Sequence, residues 1–528
     1  MRRRHSLAIV FGFACLGACA GLAAADAAFP PALTRAQTVS TELRDRNGEL
    51  LRAFLSADDA WRLKTRISDV DPRYLAILKT YEDQRYDAHL GVDPFAAARA
   101  TLQYMSAGHV VSGASTITMQ AARLLEPGQK RGLLTKIRQT ARAAQLELHF
   151  SKDEILGLYL TLAPFGGNLE GVRAASLAYF GKEPKQLTLA ESALLVALPQ
   201  SPERTRPDRH TQAAERARDK VLTRLIERKA LPNDEALEAK RTAVPRLRVP
   251  MPFHAAHMAD RLRQQKRDGA MIVTTLDAPL QRAVETMVRR ESEFLEEGAN
   301  LAIVAVKTGT REVMAQIGGA DYWGPAGQID LASATRSPGS ALKPIIYGLA
   351  FDDLVLHPST LMRDGPELFG DYAPANFDGG FQGWVTARDA LRMSLNVPAV
   401  MVLERVGPVR FTLALQHAGA SVVFPNDESA PSLPIALGGL GMNLRDLTML
   451  YAGIASGGET LALREILNAK SKRPPYRMFG QAASYYVRDI LRDAALPDGW
   501  AMGQGLKRAR TIGFKTGTSY GYRDAWAV

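Results

Sequence analysis

A chain of 528 residues, 46% hydrophobic and 23% charged, is long enough for two or three domains with sizeable cores, and its composition excludes a disordered polymer. Its formal net charge of +11 suits nucleic acid, an anionic membrane surface or a phosphate-bearing substrate, and no nucleic-acid-binding motif is present to favour the first. The only cysteines, Cys15 and Cys19, lie in the first apolar run, which excludes a disulfide framework or a cysteine-held metal beyond it.

Arg2, Arg3 and Arg4 precede an uncharged run from Leu7 to Ala25. Basic residues stay cytoplasmic, so the chain beyond this run is expected outside the cytoplasm. The run has the length to cross a bilayer core of roughly 30 Å as a helix, and residues 1–30 read as a membrane anchor. Its Ala and Gly content also fits a removable signal, and Leu16-Gly17-Ala18-Cys19 resembles a lipoprotein processing site. Over 31–58, alternation around Asn47-Gly48 predicts a hairpin leading into the first domain. Apolar periodicity then predicts helices over 94–106, 115–125, 133–149, 152–162, 187–197 and 212–227, a mostly α domain over 59–228.

Residues 229–298 read as connector and lead-in, in which Pro232, Pro245, Pro250 and Pro252 predict an extended, semi-rigid stretch. His254 and His257 lie there without a third ligand, so structural roles are expected of both. VTTLDAPLQRAVETMVRR reads as a strand and a helix, and apolar segments flanking Thr308-Gly309-Thr310 predict a hairpin opening a second domain over 299–528. The closing DAWAV reads as the middle of a strand, so this domain is expected to be incomplete, lacking an edge strand and a covering helix.

The first candidate chemistry is the acidic pair Glu82-Asp83 in KTYEDQRYDAHLGVDPF, residues 79–95, set among Arg85, Tyr86 and His89. Glu82 suits a general base tuned by apolar neighbours and nearby cations; a solvated acidic pair at a helix end is the plainer alternative. GASTITMQ, residues 113–120, is a hydroxyl-rich turn entering an apolar helix, with Ser115 and Thr116 suited to capping. Free N–H groups at such an end suit an anion such as a pyrophosphate.

Together these two stretches resemble the first two motifs of the peptidoglycan glycosyltransferases, family 51. Thr135-Lys136-Ile137-Arg138-Gln139 resembles the third, with Gln139 where the family has Glu; SKDEILGLYL with APFGGNLEGVRAASLAYFGK resembles the fourth and LPQSPERTRPDR the fifth. The resemblance implies a mainly α, lysozyme-like domain that condenses lipid II onto a growing glycan strand, with Glu82 taking the proton of the attacking sugar hydroxyl. It implies that Arg85, Lys136, Arg138 and the turn at Ser115 hold the departing diphosphate. Substrate-binding roles are implied for Asp83, Tyr86, His89, Thr116, Gln120, Arg123, Gln139 and Glu154, the last of which reads equally as a first-turn helix Glu. No essential cofactor is implied; a divalent cation, Mg or Mn, at the pyrophosphate is the single candidate.

In the second domain, Ser340 and Lys343 of RSPGSALKPIIY are three apart, a spacing that puts an amine and a hydroxyl on one helix face. Ser394-Leu395-Asn396 and Lys515-Thr516-Gly517-Thr518 complete an SxxK, SxN, KTG set, the signature of penicillin-binding proteins and class A β-lactamases. The middle SLN favours the transpeptidases. Both motif sets in one chain resemble the class A penicillin-binding proteins, most closely their 1C branch. This resemblance implies an α/β, serine β-lactamase-like domain with an antiparallel sheet, in which Ser340 attacks a D-Ala-D-Ala carbonyl and Lys343 accepts its proton. Ser394 and Asn396 would shuttle the proton and orient the donor, while Lys515, Thr516 and Thr518 would bind its carboxylate, and Gly517 would let a ligand backbone lie close to the strand. Backbone N–H groups of Ser340 and Thr518 would form an oxyanion hole.

The implied partners are lipid II, the growing strand, β-lactams as covalent inhibitors and the inner membrane, with the catalytic domains in the periplasm and no nucleic acid. Three readings stay open: a bifunctional polymerase and cross-linker, a polymerase whose second domain is a sensor or scaffold, and a lytic enzyme. A second opposed carboxylate, usual in glycoside hydrolases, is not evident for the third.

Overall fold

The computed structural model describes residues 26–96, 98–99, 115–128, 132–424, 430–471, 473–494 and 512–528. The expected anchor run, both cysteines and most of the helix expected over 94–106 lie outside the described residues. Among the described residues no helix is long and apolar enough to cross a membrane. The chain divides into two compact units, the first comprising Met1–Glu42, Ala53–Pro252 and Lys266–Met271, the second Leu43–Arg52, Phe253–Gln265 and Ile272–Val528.

The first unit is helical, and its helix ends are set by local chemistry. Helix α1 (Pro72–Glu82) starts on Asp71, whose carboxylate accepts from Arg73 N at 2.7 Å, with Pro at its first position. It stops at Glu82, with Asp83 as C-cap. Helix α2 (Ile117–Leu125) is capped by Thr116, whose Oγ1 accepts from Met119 N at 3.1 Å. Helices α3 (Leu133–His149) and α4 (Lys152–Leu162) have the expected bounds, α4 opening on a Ser151/Glu154 capping box. Helix α5 (Val172–Phe180) was not expected from periodicity; it is buried along nearly its whole length and ends at Gly181 in the left-handed region, φ 68°. Helix α6 (Leu189–Ala197) packs against both α1 and α7 (Thr211–Glu227), and one core runs from Tyr74 and Leu78 through Tyr159 to Leu222.

The proline-rich connector departs from the extended form expected of it. Helix α8 (Asn233–Arg241) and helix α9 (Ala256–Gln264) occupy it. Pro232 serves as the N-cap of α8, Asp234 and Glu235 fill the first turn, and Lys240 and Arg241 the last, an arrangement that complements the helix dipole. The prolines flank these helices rather than interrupt them, so their density marks boundaries, not an extended chain.

The Asn47-Gly48 turn joins β1 (Glu42–Arg44) to β2 (Leu50–Ala53), and β3 (Met271–Val273) completes a sheet of order β2-β1-β3. In the second unit, β4 (Ile303–Lys307) comes after helix α10 (Ala278–Ser292) and pairs antiparallel with β5 (Glu312–Ile317) across the expected turn. Strands β6 (Leu361–Asp364) and β7 (Gly383–Thr386), and β8 (Thr516–Thr518) and β9 (Ala525–Ala527), form further antiparallel pairs. Among the described residues the expected single sheet is therefore present as separate pairs. The core of this unit is built on the apolar helices α11 (Lys343–Asp352) and α12 (Asn396–Val406), with α13 (Gln481–Arg492) packed on α11.

Candidate active sites

Glu82 is the last residue of α1, half-buried, and both its carboxylate oxygens are held by neutral carboxamides. Gln120 Nε2, from α2, donates to Oε2 at 2.9 Å, and Gln200 Nε2 donates to Oε1 at 2.8 Å. Three tyrosines lie around it. Burial, and after it the Glu82 charge, pushes the Tyr74, Tyr81 and Tyr159 phenols up, so all three stay neutral beside the carboxylate.

Asp83 does a different job. It is buried, His89 Nε2 lies 3.0 Å from both of its oxygens, and Ile117 N donates to Oδ2 at 2.9 Å. The Asp83 carboxylate thus ties the end of α1 to the start of α2, and the Thr116 hydroxyl adds a bond to Gly91 O at 2.6 Å. A Cβ on Gly91 would meet Ala143 O at 2.8 Å, and its φ is +83°, so this turn requires glycine. Tyr86 is buried with its hydroxyl on Lys152 O at 2.6 Å. These residues frame the site rather than face open space.

Lys136 donates to Ser115 Oγ at 2.5 Å, and burial, then the Arg123 charge, pulls its ammonium below the ordinary lysine range. Ser115 before α2, Arg123 in the last turn of α2 and Lys136 on α3 therefore form one basic, hydroxyl-bearing group. Arg85 pairs with Asp93 at 2.9 Å and lies over the Phe95 ring, and Arg138 pairs with Glu126 at 2.8 Å. Gln139 is half-buried on α3. Glu154 is exposed and bonded back to Ser151 N and Oγ at 2.8 Å, which places it in the capping box and not beside Glu82. Each oxygen of Glu82 accepts one carboxamide hydrogen bond, and among the described residues no three His, Asp or Glu converge on one point.

In the second unit Ser340 lies on a 3-10 turn, Gly339–Leu342, and Lys343 opens α11. Lys343 is fully buried, and burial, with the Lys515 charge second, drives its ammonium well below the usual lysine range. Its Nζ donates to Ser394 O at 2.6 Å and Asn396 Oδ1 at 2.7 Å and lies 3.4 Å from Ser394 Oγ. Ser394 holds φ 61°, a left-handed conformation rare for a side-chain-bearing residue. Its Oγ is the nearest hydroxyl bonded to Lys343, so among the described residues the lysine reaches the SxN serine in this conformation.

Strand β8 packs against the Ser340 turn with no space between them. A Cβ on Gly517 would stand 2.3 Å from Pro338 O, and one on Gly339 2.2 Å from Thr518 O. What approaches Gly517 is therefore the chain's own turn rather than a ligand. Trp526 Nε1 on β9 donates to Ser337 O at 2.8 Å, fixing the same turn from the other strand. Lys515 is buried, donates to Thr516 O at 2.8 Å, and is pushed down to about 8 by burial.

Sequence reasoning did not single out what lies behind Asn396. Asn376 Oδ1 accepts from Asn396 N at 2.7 Å, Asn396 Nδ2 donates to Ala375 O at 2.7 Å, and Asn376 Nδ2 donates to both Asp364 oxygens at 2.9 Å. Asp364 is 1% exposed. These bonds leave Asn396 Oδ1 turned to Lys343.

Two family models match this chain, the transglycosylase over residues 47–226 and the penicillin binding protein transpeptidase domain over residues 298–525. The chain is 42% identical, over 92% of its length, to penicillin-binding protein 1C of Escherichia coli K12. It belongs to the class A penicillin-binding proteins. This penicillin-binding protein spans 62% of the length of that Escherichia coli relative. It is 27% identical to penicillin-binding protein 1F of Bacillus subtilis, covering 92% of this chain and 71% of the relative. The fold is also that of a crystal structure of penicillin-binding protein 1A from Haemophilus influenzae, with a TM-score of 0.50 at 18% identity, covering 93% of this chain and 86% of that one. In this penicillin-binding protein the missed partner Gln200 lay inside the LPQSPERTRPDR stretch, and motif matching could have found it; Asn376 and Asp364 carry no such signal.

Proposed function

We propose that the first unit polymerises lipid II into glycan strands and that the second cross-links their stem peptides. The observation that carries the first reading is a carboxylate, Glu82, held by two amide donors beside a separate basic group made of Lys136, Ser115 and Arg123. Glu82 removes the proton of the acceptor hydroxyl as its oxygen attacks the anomeric carbon of the growing strand. The bond from that carbon to the diphosphate breaks with inversion. The charge on the leaving undecaprenyl pyrophosphate falls to Lys136, Arg123 and Ser115. No step runs through a metal ion. Asp83 is no second catalytic carboxylate, since its oxygens are taken by His89 and Ile117 N, and this speaks against the lytic reading.

In the second unit Ser340 Oγ attacks the penultimate D-Ala carbonyl, its proton passing to the Ser394–Lys343 pair. The pair then protonates the departing D-Ala amine, and the amine of a second stem takes the acyl group, releasing Ser340. Lys515 binds the donor's terminal carboxylate. A β-lactam acylates Ser340 by the same attack. Both units work in the periplasm, beside the membrane that carries lipid II, held by the apolar run near the amino terminus.

The test is incubation of detergent-solubilised protein with labelled lipid II, then muramidase digestion and separation of monomers from cross-linked dimers. Polymer that disappears in Glu82→Gln, and dimers that disappear in Ser340→Ala while polymer remains, are the expected results. Polymer without dimers in the parent protein reduces the second unit to a penicillin-binding sensor or scaffold, and no polymer from folded parent protein overturns the first reading.

A further inference from the structure

A cavity of about 270 Å³ in the second unit shares no residue with the Ser340 site. It lies among the start of α9, α10, the end of β5 and the loop after that strand. Its aromatic wall is layered. The Arg52 guanidinium sits 4.4 Å over the Phe253 ring, and Phe253 stacks on Trp323 with centroids 5.2 Å apart and planes at 28°. Tyr322 meets both rings edge-on, at 5.2 Å and 5.0 Å, with its hydroxyl on Asp260 Oδ2 at 2.7 Å. The stack stops at Trp323, an indole that is 73% exposed.

The second observation is Gln316, which also lines the cavity. Its side chain is 1% exposed, yet neither its amide nitrogen nor its amide oxygen has a hydrogen-bond partner. Its backbone is fully held, because Gln281 on α10 completes the open edge of β5: Gln281 Nε2 donates to Gln316 O at 3.0 Å and Gln316 N donates to Gln281 Oε1 at 2.9 Å. A buried carboxamide without partners is a standing cost that a ligand offering a donor and an acceptor together removes. The neighbouring Glu285 is already committed to His254, Ala255 N and Gln281, Asp321 accepts from Trp323 N at 3.0 Å, and Arg289, the one cationic Lys or Arg in the lining, donates to Glu285 O at 3.4 Å.

We propose that this cavity binds one N-acetylated hexopyranose ring of a glycan, its C–H face on Trp323 and its acetamido group on Gln316. A pyranose has one apolar face and a polar rim, the complement of an open indole beside an amide. The volume is just below the roughly 300–1,000 Å³ of pockets for drug-sized ligands, room for one ring rather than an oligomer. The inference rests on the proposed function only in naming the source of that ring, the strand the protein extends.

The experiment is saturation-transfer NMR on the full chain in detergent, with a β-1,4-linked N-acetylglucosamine trisaccharide as probe and a free stem pentapeptide as comparison. Saturable trisaccharide binding is expected, weakened at least about tenfold in Trp323→Ala and retained within about threefold in Trp323→Phe. Gln316→Leu is expected to lose the signal of the acetamido methyl. Melting transitions establish that each variant is folded, and if Gln316→Leu is not, the two Trp323 variants decide. Equal binding in parent and Trp323→Ala, binding abolished by Glu82→Gln alone, preference for the pentapeptide, or no saturable binding would each overturn the proposal. Lipid II polymerisation by the same parent preparation keeps the two readings apart: an inactive protein that still binds through Trp323 overturns the proposed function and leaves this site standing.

Discussion

In the first unit the candidate base is a carboxyl group, which in water is ionised well below neutral pH, and the structure surrounds it with groups that carry no charge: two carboxamides and three tyrosines. In the second the candidate base is a lysine, which in water keeps its proton to about 10.4. There the structure supplies full burial and a neighbouring ammonium, both of which favour the neutral amine. One site has to hold and aim a charge; the other has to remove one. The polar partners are donors for Glu82 and acceptors for Lys343, and the acceptors oppose the loss of the proton that burial and Lys515 favour.

The largest effect that breaks this contrast is removal of either base. Lys343→Arg keeps the positive charge but prevents deprotonation, and acylation of Ser340 by a fluorescent penicillin is expected to fall about 10²–10⁴-fold, as Glu82→Gln lowers polymerisation. Stopped-flow labelling measures it. An arginine variant that acylates at the parent rate would show that Lys343 acts as a charge and not as a base.

Next in size is the chain of carboxamides behind Lys343. Asn376→Ala frees Asn396 N and leaves the buried Asp364 with only the Gln382 N donor, so acylation is expected to fall roughly 10–100-fold. A purely structural loss would lower the melting temperature and leave the pH profile of the remaining activity in place. A positioning role moves its acid limb, because Asn396 Oδ1 then no longer bonds Lys343. The matching change in the first unit, Gln200→Leu, is expected to cost about tenfold in polymerisation, since Gln120 still holds the other oxygen of Glu82.

These partners mark the limit of what the sequence made legible. The bounds of α3 and α4, the β4–β5 turn and the three transpeptidase motifs were readable because each rests on neighbours in the chain: periodicity, a capping box, a Gly-bearing turn. Asn376, Asp364 and Gln200 bond residues 12 to 118 positions away along the chain, and an isolated Asn, Asp or Gln has no periodic signal. The connector failed for a related reason, since proline reports on its own φ and on the residue before it, not on the helix that starts after it. Gly517 was singled out correctly as a place of close approach, but only the fold shows that the approaching group is Pro338.

The pH dependence separates activity from stability in the second unit. Burial brings Lys515 to about 8, so its ammonium is present below that pH and lost above it, and carboxylate binding is expected to weaken by up to about tenfold per pH unit beyond 8. The unfolded chain keeps this proton up to the ordinary 10.5, so between 8 and 10.5 the unfolded state binds more protons and the Lys515 contribution to folding stability rises with pH. Acylation rates and thermal melts over pH 7–10 are therefore expected to move in opposite directions. Parallel decline would place the titrating group elsewhere.

The smallest effect tests a residue on which motif and geometry disagree. Glu154 falls in the stretch resembling the fourth glycosyltransferase motif, yet its carboxylate is exposed and bonded to Ser151, where it closes the capping box of α4. Ser151 holds its carboxyl below the usual range through backbone and side-chain hydrogen bonds, the signature of a cap and not of a group waiting for substrate. Glu154→Gln can still reach back to Ser151 N and is expected to polymerise lipid II at the parent rate, and Glu154→Ala to do so with a slightly lower melting temperature. If Glu154→Gln melts like the parent protein but polymerises tenfold more slowly, the carboxylate acts on substrate, and the first unit then has a working charge outside the Glu82 and Lys136 groups.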